Sequence, residues 1–405
     1  DIDGTGVTFT PIAFYGSLDG SVTPTFDGNN KTISNLSIAQ ASEAVGLFGR
    51  VSYATIKDLK IDTADIQNAA KDGYNTSGTG IVAGNLEHAT VSNIVLSNIV
   101  IAGGDGSGRS YVGGLAGRVS NTTLSDIVVT GTSSIIHQGN WSGNAGIVGY
   151  LDHSTLSNSS SSAYVFGGGN NGGLVGLMST GSVIDSSSSS GNVKAFYVDA
   201  GGLVGNQEGG SILNSHATGD ITQLNAWGGG FGGLVGASLG ADALIDNSYA
   251  TGSVSSVGDR DYAGGLAGAY AGTITNSYAS GAVTGSSGGV GGLVGINTGS
   301  IDGSYATGQV SATQNAGGLV GINDTTGVVI ASRTDGLATV TATGDYSGGL
   351  VGVNLGSVTA SSVASTVVVN GVNFVGGLVG VNGSFTAATA SLTDSLSAAA
   401  VNATG

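Results

Sequence analysis

Carboxylates, histidines and hydroxyls are the groups in this chain that could do chemistry, and their spacing argues against most of it. Glycoside hydrolysis needs two carboxyl groups facing each other across a sugar. Lyase chemistry needs a base beside a cation or metal. Glutamate occurs only at Glu43, Glu87 and Glu208, in unrelated surroundings. Asp246 and Asp302 share an equivalent place in the similar stretches "LIDNSYATGSV" and "IDGSYATGQV", where a turn is the simpler use for them. His88, His137, His153 and His216 fall in no metal-ligand spacing such as HExxH, so exposed loop positions are expected. Serines crowd at Ser157, Ser159 to Ser162 and Ser186 to Ser190, with no GxSxG elbow and no paired histidine visible, and read as turn and ladder residues. No catalytic residue is assigned.

Three further stretches have binding chemistry to weigh. "GGDGSGRS", Gly103 to Ser110, is glycine-rich but follows no P-loop pattern and reads as a loop; it also looks like half of one calcium-binding nonapeptide. Calcium is the one cofactor left open, bridging surface aspartates such as Asp259 and Asp261, against the plainer reading of solvated turn charges. Tyr249, Tyr278 and Tyr305 recur at the same place in successive similar stretches. If those stretches stack, the three rings form a surface ladder. It would either bind the apolar faces of sugars or simply stabilise the sheet beneath it.

Composition narrows the elements that could hold these groups. The 405 residues include 76 Gly and 2 Pro, with 40% apolar and 9% charged residues. That is enough apolar surface for a long core of small side chains, and too little charge for disorder. The net charge is −16, and seven of the ten Lys and Arg residues lie in the first 118 positions. An acidic surface repels phosphate backbones and anionic lipids, so neither nucleic acid nor membrane is expected as a partner. Cysteine is absent, which excludes disulfides and thiolate metal sites. No apolar run reaches a transmembrane length. The chain opens with DIDGTG and no basic, apolar leader, so any export signal is expected to have been removed or to lie elsewhere.

A repeat organises the whole. Aligned on the central apolar residue of its Gly-rich block, it recurs at Leu47, Val82, Leu115, Ile147, Leu174, Leu203, Leu234, Leu266, Leu293, Leu319, Leu350 and Leu378, twelve copies spaced 26 to 35 residues apart. After each comes a block such as "ILNSHATGDI" or "ITNSYASGAV", then a looser segment of Val, Thr and Ser. Three short β-type runs per copy, divided by Gly, Asn, Asp and Ser, and no sustained 3.6-residue period predict an all-β chain. The fold expected is a parallel β-solenoid, right-handed and three-sided, of about twelve repeats, a rod on the order of 60 Å if each repeat is one coil.

Strand alternation assigns faces. With Leu115, Leu174, Leu203, Leu234, Leu266, Leu293, Leu319, Leu350 and Leu378 inward as the repeat core, the following column, for example Val148, Val294 and Val351, points out. Either extra residues of each repeat fold over that column, or it is an apolar stripe for lateral self-association. In "ITNSYA" a bend at Asn276 is required, after which Ala217, Ala250, Ala279 and Ala306 face in and the Tyr column faces out.

The Gly-rich block, with the openings "FDGNNKTISNLSI" and "VGLFGRVSYATIKDLKI", resembles the GLUG-motif repeat of large secreted or surface-anchored bacterial proteins, including adhesins and some surface peptidases. The chain is also similar to the general class of filamentous-haemagglutinin-like solenoids, without an NPNG-type secretion signature. The resemblance spans residues 9 to 385. It implies a β-helical stalk or passenger outside the cell and brings no catalytic residues; in peptidases that carry the repeat, the chemistry lies in other domains.

These readings combine into one set of expectations. Residues 1–40 form a cap or first coil, 41–385 the solenoid, and 386–405 a tail or cap. The chain is a non-enzymatic structural or adhesive module, extracellular or on a bacterial cell surface, whose partner is a surface glycan or a host or biofilm matrix. The rivals are a subunit that assembles end to end or laterally, since solenoid ends are unpaired β edges, and a glycan-binding or polysaccharide-degrading β-helix.

Overall fold

The structure, a computed structural model, describes all residues but 8, 39–43, 70–77, 104–109, 140–142, 226, 287, 337 and 384–389, and the backbone alone at 68 and 69. Among the described residues are 58 strands and no helix, and therefore none long and apolar enough to cross a membrane. The chain is an all-β parallel β-solenoid of about twelve turns with three sheets, as the repeat predicts. It divides into two compact units, Asp1–Phe196 with Leu203–Asn206, and Tyr197–Gly202 with Gln207–Gly405.

One coil of the second unit shows how the repeat folds. The Gly-rich block begins as the strand Gly289–Gly291, bends at Gly292 and Leu293, and continues as the strand Val294–Asn297 on a second face. The third face holds three short strands, Ser300–Asp302, Tyr305–Ala306 and Val310–Ala312. A Cβ on Gly292 would lie 2.1 Å from the carbonyl oxygen of Gly318 in the next coil. Backbones meet at that corner, so only glycine fits. Leu234, Leu266, Leu293, Leu319 and Leu350 each donate their N–H, over 2.8 Å, to the carbonyl of the Leu one coil on.

That corner corrects the expected facing of the Val column. An unbroken strand would send Val294 outward, but the bend at Leu293 resets the alternation, and both side chains are fully buried. Val148, Val175, Val204, Val320 and Val351 are buried likewise. The column is core, neither a covered outer face nor an apolar stripe. Of the predicted core leucines, Leu115, Leu174, Leu203, Leu234, Leu266, Leu293, Leu319 and Leu350 are fully buried, and Leu378 is half-buried.

Buried polar side chains stack as well as apolar ones. In the second unit each corner serine takes the N–H of its counterpart one coil back: Ser248 to Ser277, Ser277 to Ser304 and Ser304 to Ser332, all at 3.1 Å. The same hydroxyls donate to carbonyls within their own coil, as Ser277 does to Thr275 at 2.7 Å. This satisfies N–H groups that the corner turns out of the strand ladder. Asn297, Asn323, Asn354 and Asn382 form an amide ladder at 2.8, 2.8 and 2.7 Å.

The first unit keeps the three-faced plan with longer elements. Thr55–Ala69 and Thr90–Gly103 are single strands bent at left-handed corners, Asp58 and Thr63 in one and Asn93 and Asn98 in the other. Ile2–Asp3 and Thr25–Ile38 pair in parallel with neighbouring coils. In the second unit Ser391–Thr393, Leu396–Ser397 and Ala400–Ala403 extend the third face. The domain boundaries expected at 40/41 and 385/386 lie outside the described residues.

Candidate functional site

The strands His216–Ala217, Tyr249–Ala250, Tyr278–Ala279, Tyr305–Ala306 and Arg333–Thr334 stack in register on the second unit. Each follows a left-handed corner: Asn214, Asn247 and Asn276 at φ of 49, 48 and 50°, then Gly303 at 58° and Ala331 at 47°. Asn tolerates that conformation because its short side chain bonds locally. The corner puts Ala217, Ala250, Ala279 and Ala306 fully inside and leaves the neighbouring aromatic half-buried on the outer face.

The three tyrosines do form a ladder, and it is longer than three. Ring centroids are 4.7 Å apart for His216 and Tyr249, 4.9 Å for Tyr249 and Tyr278, and 5.0 Å for Tyr278 and Tyr305, with interplanar angles of 6, 7 and 8°. The Arg333 guanidinium carbon sits 4.4 Å from the Tyr305 centroid and closes the far end. Its Nε lies 3.2 Å from Asp335, which holds the charge locally. Burial, and then the neighbouring Tyr249 and Tyr305, push the Tyr278 phenol up, so it is a neutral donor at neutral pH. Burial pushes His216 down, so its imidazole is neutral there too.

This geometry limits what the ladder can do. Near-parallel rings cover each other's faces, so no sugar can lie flat on Tyr278. Because each ring leaves the sheet at its Cβ, solvent meets a row of outer edges and phenolic ends at a regular spacing. The arrangement can hydrogen-bond a repetitive ligand.

The other candidate residues disperse. Asp246, Thr275 and Asp302 occupy successive coils, so the two carboxylates stand roughly 10 Å apart with a threonine between them. Thr275 Oγ1 and Asn276 Nδ2 donate to Asp246 at 2.6 and 3.0 Å and hold its carboxyl below the usual range, the opposite of what a general acid requires. Glu87 and Glu208 are exposed in different coils; Glu43 and the 104–109 part of "GGDGSGRS" lie outside the described residues. Among the described residues no three His, Asp or Glu side chains converge as metal ligands. Asp259 and Asp261 do not form a surface pair: Asp261 is 1% exposed, with Oδ2 accepting the Gly258 N–H at 2.6 Å.

His137 corrects the expectation of exposed histidines and of none paired with serine. It is 1% exposed, and its Nε2 lies 2.9 Å from Ser110 Oγ. The Gly139 N–H donates to Nδ1 at 3.2 Å, so in the neutral ring the proton sits on Nε2 and points at the serine. That tautomer donates to the hydroxyl and cannot deprotonate it, so the pair is structural. Sequence reasoning also passed over Trp227, 77% exposed and edge-on to Tyr197 at 5.7 Å and 76°. Its only signal was an aromatic residue in the loop-like stretch "LNAWGGG".

Fold and site together define a repeat scaffold: stacked coils held by Gly corners, with its regular features turned outward. Within that class the chain carries GLUG-motif repeats, the GLUG motif being matched at residues 197–222, 260–284 and 286–311. Over 104 residues, 25% of its length, it is 36% identical to Halomucin of Haloquadratum walsbyi, of which the match covers 1%. A crystal structure provisionally assigned as an immunoglobulin A1 protease from Bacteroides ovatus aligns over 62% of this chain and 66% of its own, at 22% identity and a TM-score of 0.36. That score is too low to carry any argument about activity.

Proposed function

We propose that the chain is a non-enzymatic structural and adhesive β-solenoid module of a bacterial extracellular or cell-surface protein. Its contact line is the ladder of Tyr249, Tyr278 and Tyr305, and its partner is a glycan of a surface or matrix. The GLUG repeat and the stretch shared with Halomucin support the surface setting. The observation that carries the adhesive reading is the ladder itself: five in-register rungs, four half-exposed and Arg333 exposed, on a unit whose buried polar groups are largely spent on stacking one coil on the next.

The test is binding of the full chain to a glycan array, with a parallel assay for reducing ends released from a polysaccharide panel. Retention on at least one glycan, weakened about tenfold or more in Tyr278→Ala, is the expected result. Release of reducing ends overturns the non-enzymatic reading, and binding indifferent to Tyr278→Ala overturns the assigned contact line.

A further inference from the structure

We infer that the ladder is a register track for an unbranched, neutral, extended glycan that lies along the stacking direction, one sugar per coil. This rests on the glycan-binding reading above and goes beyond it by fixing the ligand's direction, length and charge.

The direction follows from the spacing. Parallel strand pairing sets the rungs 4.7 to 5.0 Å apart, whatever rings occupy them. A chain of pyranoses joined through equatorial 1,4 bonds advances by nearly that step per sugar. Successive sugars in such a chain are turned over by half a turn, so each rung meets a hydroxyl-bearing ring edge and the identical edge returns at every second rung. An extended peptide does not match, because its residues advance by about 3.3 Å and its same-side groups by about 6.6 Å, neither of them the rung spacing. A glycan laid across the ladder would meet one rung and gain nothing from the repeat.

The mode of contact follows from the stacking. With ring faces covered, recognition falls to the edges and the phenol hydroxyls. Two residues after each tyrosine, on the same face of the chain, come Thr251, Ser280 and Thr307, the first two exposed and the third half-buried. Each tyrosine rung therefore offers an aromatic and an aliphatic hydroxyl, two partners for one sugar.

The charge follows from what flanks the ladder. Arg333 is engaged by Asp335. Asp246 and Asp302 stand in the preceding column on the same face. A carboxylated or sulfated glycan would meet this acidic border, and the ladder's own cation, Arg333, is already engaged. The length follows from the count: His216 to Arg333 makes five rungs.

The experiment titrates the full chain with cello-oligosaccharides from the disaccharide upward, with oligogalacturonides of matched length as the charged series. The expected result is a Kd that falls about threefold per added sugar, what one net hydrogen bond contributes, and levels off after five. Tyr278→Phe, which keeps the stack and removes one hydroxyl, should flatten the middle of that series without altering the circular dichroism spectrum. The charged series should bind more weakly at every length. Affinity independent of length, equal binding by Tyr278→Phe, or preference for the charged series overturns the track. Loss of binding in Trp227→Ala but not in Tyr278→Phe moves the site to the exposed indole and overturns it as well. If no cello-oligosaccharide binds while another glycan binds in a Tyr278-dependent way, the track fails and the adhesive reading stands. If nothing on the array binds, both fail.

Discussion

The early coils of the first unit and the coils of the second solve one problem with different materials. In the first, stacking columns are filled with hydrocarbon: Ile56, Ile61, Ile66, Ile94, Leu96 and Ile99 are all fully buried on strands of 14 and 15 residues. In the second, the comparable face is broken into strands of two to four residues, and its inward positions after the Asn corner are alanines. Serine and asparagine ladders appear in the later coils of the first unit, as at Ser159 with Ser187 and Asn144 with Asn171, and recur in the second beside its buried Ile and Leu columns. After each Asn corner the inward place is taken by Ala, and strand alternation leaves the aromatic just before it on the surface. The candidate site therefore sits among coils that rely on hydrogen bonds and backbone closeness as well as on hydrocarbon.

The largest effect should come from backbone closeness. In Gly292→Ala the new Cβ falls 2.1 Å from the Gly318 carbonyl oxygen, a backbone atom with a second coil behind it. We expect destabilisation of about 4 kcal/mol or more, among the severest single-residue effects. Hydrogen exchange read by peptide should show protection lost in the second unit. Near-wild-type protection there would mean that coils can separate at the corner, and that glycine is not what fixes their approach.

A matched pair sharpens the contrast. Ile61→Ala in the first unit removes buried hydrocarbon and should cost about 2–5 kcal/mol. Ser277→Ala in the second should cost about 1–3 kcal/mol, because the Ser248 N–H loses its acceptor in a buried place. Both are read from urea unfolding, with exchange locating the loss in the mutated unit. If Ser277→Ala proves neutral, the polar ladder is filler and the second unit rests on its glycines and leucines alone.

The same contrast explains what was legible in the sequence. Glycine blocks, their spacing and the Asn-x-Tyr-Ala block announce coils, corners and an outward aromatic column, because each rests on a local rule: φ above zero at Asn276, no Cβ at Gly292, alternation after a bend. The facing of Val294 was not legible, since "GGLVG" reads as a strand with strict alternation until the bend at Leu293 is seen. His137 was misplaced for a related reason. Its burial depends on Ser110, 27 positions earlier, and neither residue carries a motif. The ladder's ends were visible only as members of a mixed column; that His216 and Arg333 stack on the tyrosines is a fact of register.

The smallest effect concerns pH and a loop edge of the second unit. Asp261 is buried, and burial pushes its carboxyl above the ordinary 3.8, while the Gln223 amide and the N–H groups of Gly258, Gly228 and Gly229 pull the other way. A carboxyl whose folded pKa is raised favours the folded state fully when both states are protonated, below 3.8. That contribution is lost as pH rises from there through the folded value, because the unfolded chain ionises first. Asp261→Asn removes the titration while keeping an acceptor for Gly258 N–H. The variant should therefore lose less stability than wild type between acid and neutral pH, with the difference confined to the second unit. Parallel pH–stability curves for the two proteins would show that the surrounding donors cancel the burial cost, so that this carboxylate is as much at home in its loop as the serines are in their ladder.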